Sequence, residues 1–412
     1  MIPSTSINAA SGAYPMRHLG QHGFGCAACG PQPGFLSSIQ DRGPLVRGAP
    51  GLILPGRRSS RHLAASAGAG GGRSGSEGTA SQNKILTPGS SPHRIEVHHH
   101  VVPPKYLIDP GKDRIGSTAV ASLWQKVLAW TPEKSIEEMD RHGVATSVTS
   151  VSAPGVWFGN VEQARRIARE CNEYSAQLVN DYPGRFGTFA SIPLPDIEGS
   201  LREIDYAYGT LNVDGIVLMT SYDNKWPGDP SFAPVFEELN RRKAVVFFHP
   251  TVSPCCMGLI PDVPDAQIEY LFDTVRAVMS LLYGGTFTRF PDIRFIFAHA
   301  GSAVPMFSRR MARLGAADPK LAARLPNGPM YELQRLYYEL AHTYGPNTLV
   351  PLMEMASPKN VLLGSDYPWV VTSIDMTVDA VHKFFNPAEV ADIEHGNALR
   401  LFPRLATLPA HR

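Results

Sequence analysis

The amino-acid sequence predicts an α/β protein: a (β/α)8 TIM-type barrel preceded by a disordered N-terminal extension. Two observations lead to this prediction. After residue 93, short apolar segments alternate with longer segments of helical periodicity, which is typical of βαβ units and a parallel sheet. The short segments are rich in Val, Ile and Phe on both faces, as expected for parallel strands covered on both sides.

Eight segments have the length and composition of buried strands. Eight strands in about 320 residues fit a closed barrel better than an open sheet. An open doubly wound sheet is the alternative, but no Gly-x-Gly-x-x-Gly motif follows the first strand to favour it. The predicted strands are Ile95–His100, Thr146–Ser152, Phe186–Ile192, Gly215–Thr220, Ala244–His249, Arg294–His299, Leu336–Ala341 and Val361–Asp366.

The segments between these strands have the apolar periodicity of amphipathic helices, and each is long enough to cross back over the sheet. The predicted helices are Ile136–His142, Val161–Asp181, Ser200–Tyr208, Phe232–Arg242, Ala266–Leu282, Ala303–Leu314, Thr348–Met355 and Ile374–Phe385.

Residues 1–93 differ from the rest of the chain in composition and charge. They are rich in Gly, Ser, Pro and Ala and carry a net charge of +6, whereas the whole chain carries +1. Such a segment buries too little apolar surface to offset its ordering entropy, so we expect a disordered basic extension followed by one barrel over residues 94–412. An organelle transit peptide is the alternative, although Met1–Pro15 contains no Arg or Lys.

The composition argues against several other classes of protein. A net charge of +1 does not provide the concentrated basic surface that nucleic acid requires. No run of about 18 apolar residues occurs, so we expect no membrane span. The five cysteines are odd in number and irregular in spacing, which indicates a reducing compartment, with the cytosol as the default, rather than a disulfide framework. They are Cys26, Cys29, Cys171, Cys255 and Cys256.

Histidine and aspartate residues terminate four of the otherwise apolar strands. His98 and His100 end the first strand on one face, and His99 points away, because alternate side chains of a strand share a face. The fifth, sixth and eighth strands end at His249, His299 and Asp366 respectively. A single histidine at a strand end is more often a hydrogen-bonded structural residue. Four such clusters that meet at the mouth of a barrel favour a site for a metal ion of intermediate hardness.

Five motifs resemble those of the amidohydrolase superfamily. They are Glu96–Pro104, Phe248–Pro250, Phe297–Gly301, Leu363–Trp369 and Gly396–Phe402. The branch most similar to this chain contains aminocarboxymuconate-semialdehyde decarboxylase, γ-resorcylate decarboxylase and fungal 6-methylsalicylate decarboxylases. The sequence most resembles the last of these. The resemblance runs from about Ile95 to the end of the chain and excludes the extension.

The resemblance implies a division of roles among the residues at the barrel mouth. It implies that the metal ligands are His98, His100, His249 and Asp366. It makes His299 a catalytic histidine that does not bind the metal. It also places on Arg310 an arginine that reaches a neighbouring subunit in some members, which implies a homodimer or a higher homo-oligomer. Trp369 is expected to contact the substrate.

At two positions near the expected metal centre, the sequence differs from many members of the superfamily. Many amidohydrolases hold two metals bridged by a carbamylated lysine at the end of strand four, but Gly215–Thr220 contains no lysine, so we expect one ion. Zinc is the expected metal and manganese is the alternative, because the ligand set suits both. Glu96 stands where many relatives have Asp. Its carboxylate is expected either to support a ligand or to contact the metal.

The expected reaction is the non-oxidative decarboxylation of a 2-hydroxybenzoate. The resemblance favours conversion of 6-methylsalicylate to m-cresol and CO2 in polyketide secondary metabolism. The proton donor is expected to be either Asp366 or a metal-bound water relayed by His299. The rival is a metal-dependent hydrolase of the lactonase kind, in which His299 would activate water. A metal-binding scaffold without catalysis is a further alternative, and it is disfavoured because every matched ligand is present.

Overall fold

The structure, a computed structural model, describes residues 93–108, 121–370 and 373–407 of the 412-residue chain. Residues 1–92, which include Cys26, Cys29 and nearly all of the predicted disordered extension, lie outside the described residues. The division between an extension and a barrel at residues 93 and 94 therefore stays a prediction.

Eight parallel strands lie side by side in chain order and confirm the predicted (β/α)8 barrel. All but a few of their residues are buried, because helices cover the outer face of the sheet and side chains fill the interior. The strands are β1 (Arg94–His100), β2 (Val144–Ser150), β3 (Phe186–Ser191), β4 (Gly215–Met219), β5 (Val245–His249), β6 (Arg294–Phe297), β7 (Tyr337–Glu339) and β8 (Val361–Leu362).

The barrel closes where the segment after β8 pairs with β1. Parallel bridges join Glu96 to Leu363 and His99 to Tyr367. The backbone N–H of Val97 donates to the carbonyl oxygen of Leu363 at 2.9 Å. This closure places the residues that follow β8 directly beside the end of β1, where the two strands deliver their polar side chains.

Helices connect the strands and cover the barrel, as predicted. Within the described residues they are α1 (Ala121–Leu128), α2 (Pro132–Arg141), α3 (Val161–Asp181), α4 (Ile197–Gly209), α5 (Ala233–Arg241), α6 (Glu269–Gly284), α7 (Thr286–Arg289), α8 (Val304–Ala317), α9 (Pro319–Ala322), α10 (Pro329–Gln334), α11 (Pro346–Met355), α12 (Ser373–Phe384), α13 (Pro387–Ala391) and α14 (Asn397–Leu401). In the part of the chain that the structure describes, no helix has both the length and the apolar character needed to span a bilayer.

Helix α3 shows how the sequence specifies one of these elements. The Asn160 side chain accepts a hydrogen bond from the N–H of Gln163 at 2.9 Å and caps the first turn. Ala164, Ile167 and Cys171 recur at helical spacing and are buried against the sheet. Since Ile167 is almost fully buried, its truncation to Ala would cost about 2–5 kcal/mol of stability.

Three of the five cysteines lie within the described residues. Cys171 is a buried free thiol. Cys255 and Cys256 are joined by a disulfide between adjacent residues, which the spacing argument did not anticipate. A bond between neighbours closes no loop of chain, so it adds no framework of the kind that stabilises small secreted domains.

Candidate metal centre and cavity

The end of β1 carries both His98 and His100, and its pairing with β2 contains a local irregularity. The β1–β2 register shifts between Glu96 and His99, so that β1 contains one residue more than β2 over this stretch. The Nε2 atoms of His98 and His100 lie 3.1 Å apart, and both side chains are buried. The predicted common face of these two histidines is therefore present.

His99 and Glu96 form a separate pair on the other side of β1. Nδ1 of His99 is 2.6 Å from Oε1 of Glu96, and Nε2 of His99 contacts the hydroxyl of Ser135. The same Glu96 oxygen accepts a hydrogen bond from Ser147 Oγ at 2.6 Å. Of the two roles expected for Glu96, direct contact with the metal therefore has no support in this arrangement.

Asp366 completes a cluster with the histidines. Its Oδ1 lies 2.8 Å from Nε2 of His100 and 3.3 Å from Nε2 of His98. The residue adopts a left-handed backbone conformation with φ 60°, and its N–H donates to the carbonyl oxygen of His98 at 2.8 Å. With His249 from β5, these side chains place four potential ligand atoms within 4.8 Å of one another.

The outer nitrogens of the three histidines all have acceptors, which fixes the rings. Nδ1 of His98 donates to Oε1 of Glu339 at 2.7 Å, and the other two rings donate from Nδ1 to backbone carbonyl oxygens. These are His100 to Ser150 at 3.2 Å and His249 to Pro250 at 2.8 Å. In its neutral form, each ring directs the lone pair of Nε2 inward. Three such nitrogens and a carboxylate oxygen suit one divalent cation, with outer-shell partners of the usual kind.

The electrostatics of the cluster also favour a cation at this point. Burial disfavours a charged ring at His98, but the negative charges of Glu339 and Asp366 raise its pKa to about 10. Burial would raise the pKa of Asp366, but the charge of His98 and hydrogen bonds from the surrounding histidines hold it well below its usual range. Burial and the neighbouring positive charges hold the pKa of His249 well below its ordinary value. The site therefore stabilises one positive charge between the rings and the carboxylates.

Glu339 is a site residue that the sequence analysis missed. It is fully buried at the end of β7, where Oε1 also accepts from the backbone N–H of His299 at 2.6 Å. Its Oε2 accepts from the N–H of Ala341 at 2.7 Å. A single acidic residue within the predicted apolar strand Leu336–Ala341 was the available signal.

His299 follows β6 in a tight turn with φ 55° and lines the cavity beside the cluster. Its Nε2 lies 3.5 Å from Oδ2 of Asp366, which is too long for a strong hydrogen bond. That nitrogen is buried and has no hydrogen-bond partner among the described residues. Burial lowers the pKa of this ring. His299 therefore lines the cavity with an Nε2 atom that has no hydrogen bond among the described residues.

His342 is a second residue that the sequence analysis missed. It lies in the turn after β7 with φ 59°, and its Nε2 is 2.7 Å from Oδ2 of Asp366. The two oxygens of Asp366 therefore have different neighbours. Oδ1 faces His98 and His100, and Oδ2 faces His342 and, at a longer distance, His299.

A cavity of about 300 Å³ opens onto this cluster. Its described lining contains no Lys or Arg and combines apolar residues with hydroxyl, amide and imidazole groups. These residues are Leu123, Ser152, His249, Pro264, Ala266, Gln267, Tyr270, Leu271, His299, Ser302, His342, Thr343, Thr348, Asp366, Trp369 and Val370.

The two residues expected to contact substrate have different positions. Trp369 lines the cavity, donates from Nε1 to Ser152 Oγ at 2.9 Å and stacks near Trp124. Arg310 is exposed on α8 and is absent from the cavity lining of its own chain. A contact between Arg310 and substrate would therefore require a second copy of the chain.

The barrel and the cluster at its mouth define a class of protein, the barrel enzymes whose strand ends carry histidine and carboxylate ligands for a metal. Residues 95–404 match the model of the amidohydrolase family, which is well over half of the chain. The chain belongs to the amidohydrolase family.

Several relatives that are similar in sequence are named decarboxylases. The chain is 36% identical over 328 residues to decarboxylase yanB of Aspergillus niger, which covers 76% of this chain and 88% of that protein. It is 34% identical over 325 residues to 6-methylsalicylic acid decarboxylase of Penicillium expansum, with coverage of 76% and 97%. These similarities confirm the branch of the family that the motifs indicate.

Solved structures share the fold. A dihydroxybenzoic acid decarboxylase from Polaromonas, solved with bound manganese and the inhibitor 2-nitroresorcinol, superimposes with a TM-score of 0.64. The two chains are 21% identical, and the match covers 76% of this chain and 97% of the other. At this identity the comparison establishes the architecture of the barrel.

Proposed function

We propose that the chain is a metal-dependent, non-oxidative decarboxylase of a 2-hydroxybenzoate-type acid, with 6-methylsalicylate as substrate and m-cresol and CO2 as products. The main support is the cluster of three inward-facing imidazoles and one carboxylate at a cavity of about 300 Å³. Relatives that share about a third of their residues over most of their length and are named decarboxylases support the reaction class.

The proposed ligands are His98, His100, His249 and Asp366. A divalent ion bound there would serve as a template and Lewis acid for the phenol and carboxylate oxygens of the substrate. Zinc and manganese both suit the donor set, and bound manganese in the Polaromonas relative makes manganese an equal candidate. The end of β4 supplies no further ligand, because Thr220 donates to Asp273 at 2.6 Å. One ion per chain is therefore proposed.

The chemical problem is where the electron pair of the broken bond goes. Direct loss of CO2 from the ring would leave an unstable aryl carbanion. If the ring carbon that bears the carboxylate is protonated first, the C–H bond forms before the C–C bond breaks. The electron pair of the C–C bond then restores the aromatic ring as CO2 leaves.

Asp366 and His299 are the proposed sources of the required proton. Oδ2 of Asp366 and Nε2 of His299 both lie at the cavity, 3.5 Å from each other. His299 has no competing hydrogen bond on Nε2 among the described residues, which supports its role in proton transfer. Both residues are proposed as catalytic groups, Asp366 as a ligand as well.

Substrate contacts are proposed for Trp369 and, from a second copy, for Arg310. Trp369 offers an aromatic wall for a flat ring. Arg310 borders an apolar groove between α6 and α8, which would suit a homodimer or higher homo-oligomer. An Arg310 from a second copy would supply the cation that the described lining of this cavity lacks. A cytosolic location stays part of the same proposal.

Product analysis on 6-methylsalicylate tests this function. The manganese-loaded and zinc-loaded protein should release m-cresol and CO2 in equal amounts, and a panel of salicylates should define the tolerated ring substituents. A set of aromatic lactones serves as the comparison. Release of acid from a lactone, with no CO2 from any salicylate, would favour the lactonase alternative and contradict the proposal.

A further inference from the structure

His342 occupies a position that the proposed mechanism leaves unexplained. It lies on the cavity wall, and 35% of its side chain is exposed. Its Nε2 contacts Oδ2 of Asp366 at 2.7 Å, a shorter distance than any that joins Asp366 to His98, His100 or His299. A short contact to the proposed ligand therefore comes from a residue with no role assigned so far.

The direction of this hydrogen bond follows from its partners. While the Asp366 carboxylate is ionised it can only accept, so Nε2 of His342 carries the proton of this hydrogen bond. In the neutral ring Nδ1 is then an acceptor, and the hydroxyl of Tyr344 lies 3.2 Å from it. The chain Tyr344–His342–Asp366 holds the imidazole in one tautomer and fixes the orientation of its donor.

The consequence for Asp366 is that its two oxygens cannot exchange places freely. Oδ2 is held at His342, so Oδ1 remains among the Nε2 atoms of His98 and His100. A carboxylate held in this way would offer one oxygen, rather than two, to a metal ion.

The same contact affects His299. Its Nε2 is the next nitrogen from Oδ2, at 3.5 Å, and has no partner among the described residues. The rings of His299 and His342 lie with their centroids 5.1 Å apart at 71°. Oδ2 has its short contact with His342, whereas His299 lies beyond the distance of a strong hydrogen bond to it.

We propose that His342 is a positioning residue. By donating to Oδ2 of Asp366, it orients Oδ1 toward the metal site and leaves Nε2 of His299 available to the substrate. The inference rests on the proposed function, since it assigns Asp366 and His299 the roles given there. It adds a histidine that acts on the reaction through Asp366 and His299.

The test compares His342→Ala with His342→Gln in the full chain. Ala removes the donor, whereas the amide of Gln can still donate to Oδ2. After metal removal by a chelator, Mn²⁺ is titrated back and its affinity is measured by calorimetry. His342→Ala should weaken Mn²⁺ binding by roughly 10–100-fold, as is usual for lost outer-shell partners, and His342→Gln should recover most of it.

Steady-state kinetics supply the second readout. In His342→Ala at saturating Mn²⁺, kcat for decarboxylation should fall while KM changes little, because Oδ2 is then open to His299. The matched control is His382→Ala, which removes a histidine bonded to the buried carboxylate of Glu394 at 2.9 Å. His382 is absent from the cavity lining, so both Mn²⁺ affinity and kcat should be unchanged.

The outcomes distinguish the positioning role of His342 from the proposed function. Wild-type Mn²⁺ affinity in both His342 variants would overturn the positioning role and leave the proposed function intact. Equal losses in Ala and Gln would also overturn it, because the donor would then not be what matters. A native chain that binds Mn²⁺ but releases no CO2 would contradict the proposed function, while the affinity series would still decide the role of His342. A native chain that binds no Mn²⁺ would overturn both.

Discussion

Glu339 joins three parts of the site through one buried carboxylate. It accepts from Nδ1 of His98 and from the backbone N–H groups of His299 and Ala341. Removing its charge should make Nε2 of His98 a less basic ligand and loosen the turn that carries His299.

Glu339→Gln is therefore expected to lower metal affinity by roughly 10–100-fold, the range typical of lost outer-shell partners. Competition with a fluorescent chelator measures the change. Glu332→Gln is the matched control, because Glu332 is a buried acid on α10 that bonds to Arg335, away from the cavity. Equal affinities in Glu339→Gln and the native chain would show that the carboxylate does not support the site.

Replacing His299 and Asp366 by Ala should have different effects on turnover and metal content. His299→Ala is expected to lower kcat by roughly 10²–10⁴-fold, as for lost acid–base catalysis, while metal content stays near one ion per chain. Asp366→Ala should reduce both, since it removes a ligand oxygen. Metal analysis and CO2 release on the same preparations provide the measurement. A folded His299→Ala protein without metal would make His299 a ligand and contradict this division.

The sequence could predict the histidines of β1 because a strand repeats every two residues. The sequence carries a much weaker signal that Glu339 and His342 belong to the site. Glu339 is one acid inside an otherwise apolar strand, and only the folded barrel shows that it meets His98, 241 positions earlier in the chain. His342 lies beyond β7 in a left-handed turn, so strand periodicity does not reach it.

The elements were predicted more accurately in their centres than at their ends. Helix α3 was predicted with the bounds observed, since Asn160 caps it and its apolar residues keep helical spacing throughout. The eighth strand was predicted as Val361–Asp366 but pairs regularly only over Val361–Leu362. The residues that follow meet β1 only through single bridges at Leu363 and Tyr367, and Asp366 between them adopts φ 60°.

Other differences arise from features that carry weak sequence signals. The sequence of β1 carries no sign of its bulge, and only the pairing with β2 reveals the shift. Helix α1 and the short helices α7, α9, α10, α13 and α14 were not predicted, because segments of four to eight residues show too little periodicity.

The segment after β8 depends on a glycine where it crosses β1. A methyl group at Gly364 would overlap the carboxylate of Glu339 and lie 2.9 Å from Cβ of His98. We expect Gly364→Ala to cost about 1–3 kcal/mol of stability and to weaken metal binding together with it.

Thermal unfolding and metal titration of Gly364→Ala check this expectation. Gly209→Ala is the control, because nothing lies within 4 Å of the added methyl group at that position. A Gly364→Ala protein with native stability and native metal affinity would show that Glu339 and the β8 segment can move apart without consequence.

At the scale of the whole molecule, the barrel accounts for all of the described strands. The first of them begins at Arg94, and the family match begins at residue 95. Deletion of residues 1–90 should therefore leave folding, metal binding and turnover unchanged. Circular dichroism, metal content and kcat/KM of the truncated chain measure this. A large loss of solubility or activity would show that the extension contributes to the barrel.

The central claim is that one ion held by the three histidines and Asp366 makes the chain a decarboxylase. Mn²⁺ titrated into the chelator-treated protein, with bound metal and CO2 release from 6-methylsalicylate measured on the same samples, tests it most directly. Activity should rise in proportion to bound metal and reach its plateau at one ion per chain, and His249→Ala should show neither. Full CO2 release by the metal-free protein, or stoichiometric binding without any CO2 release, would contradict the account.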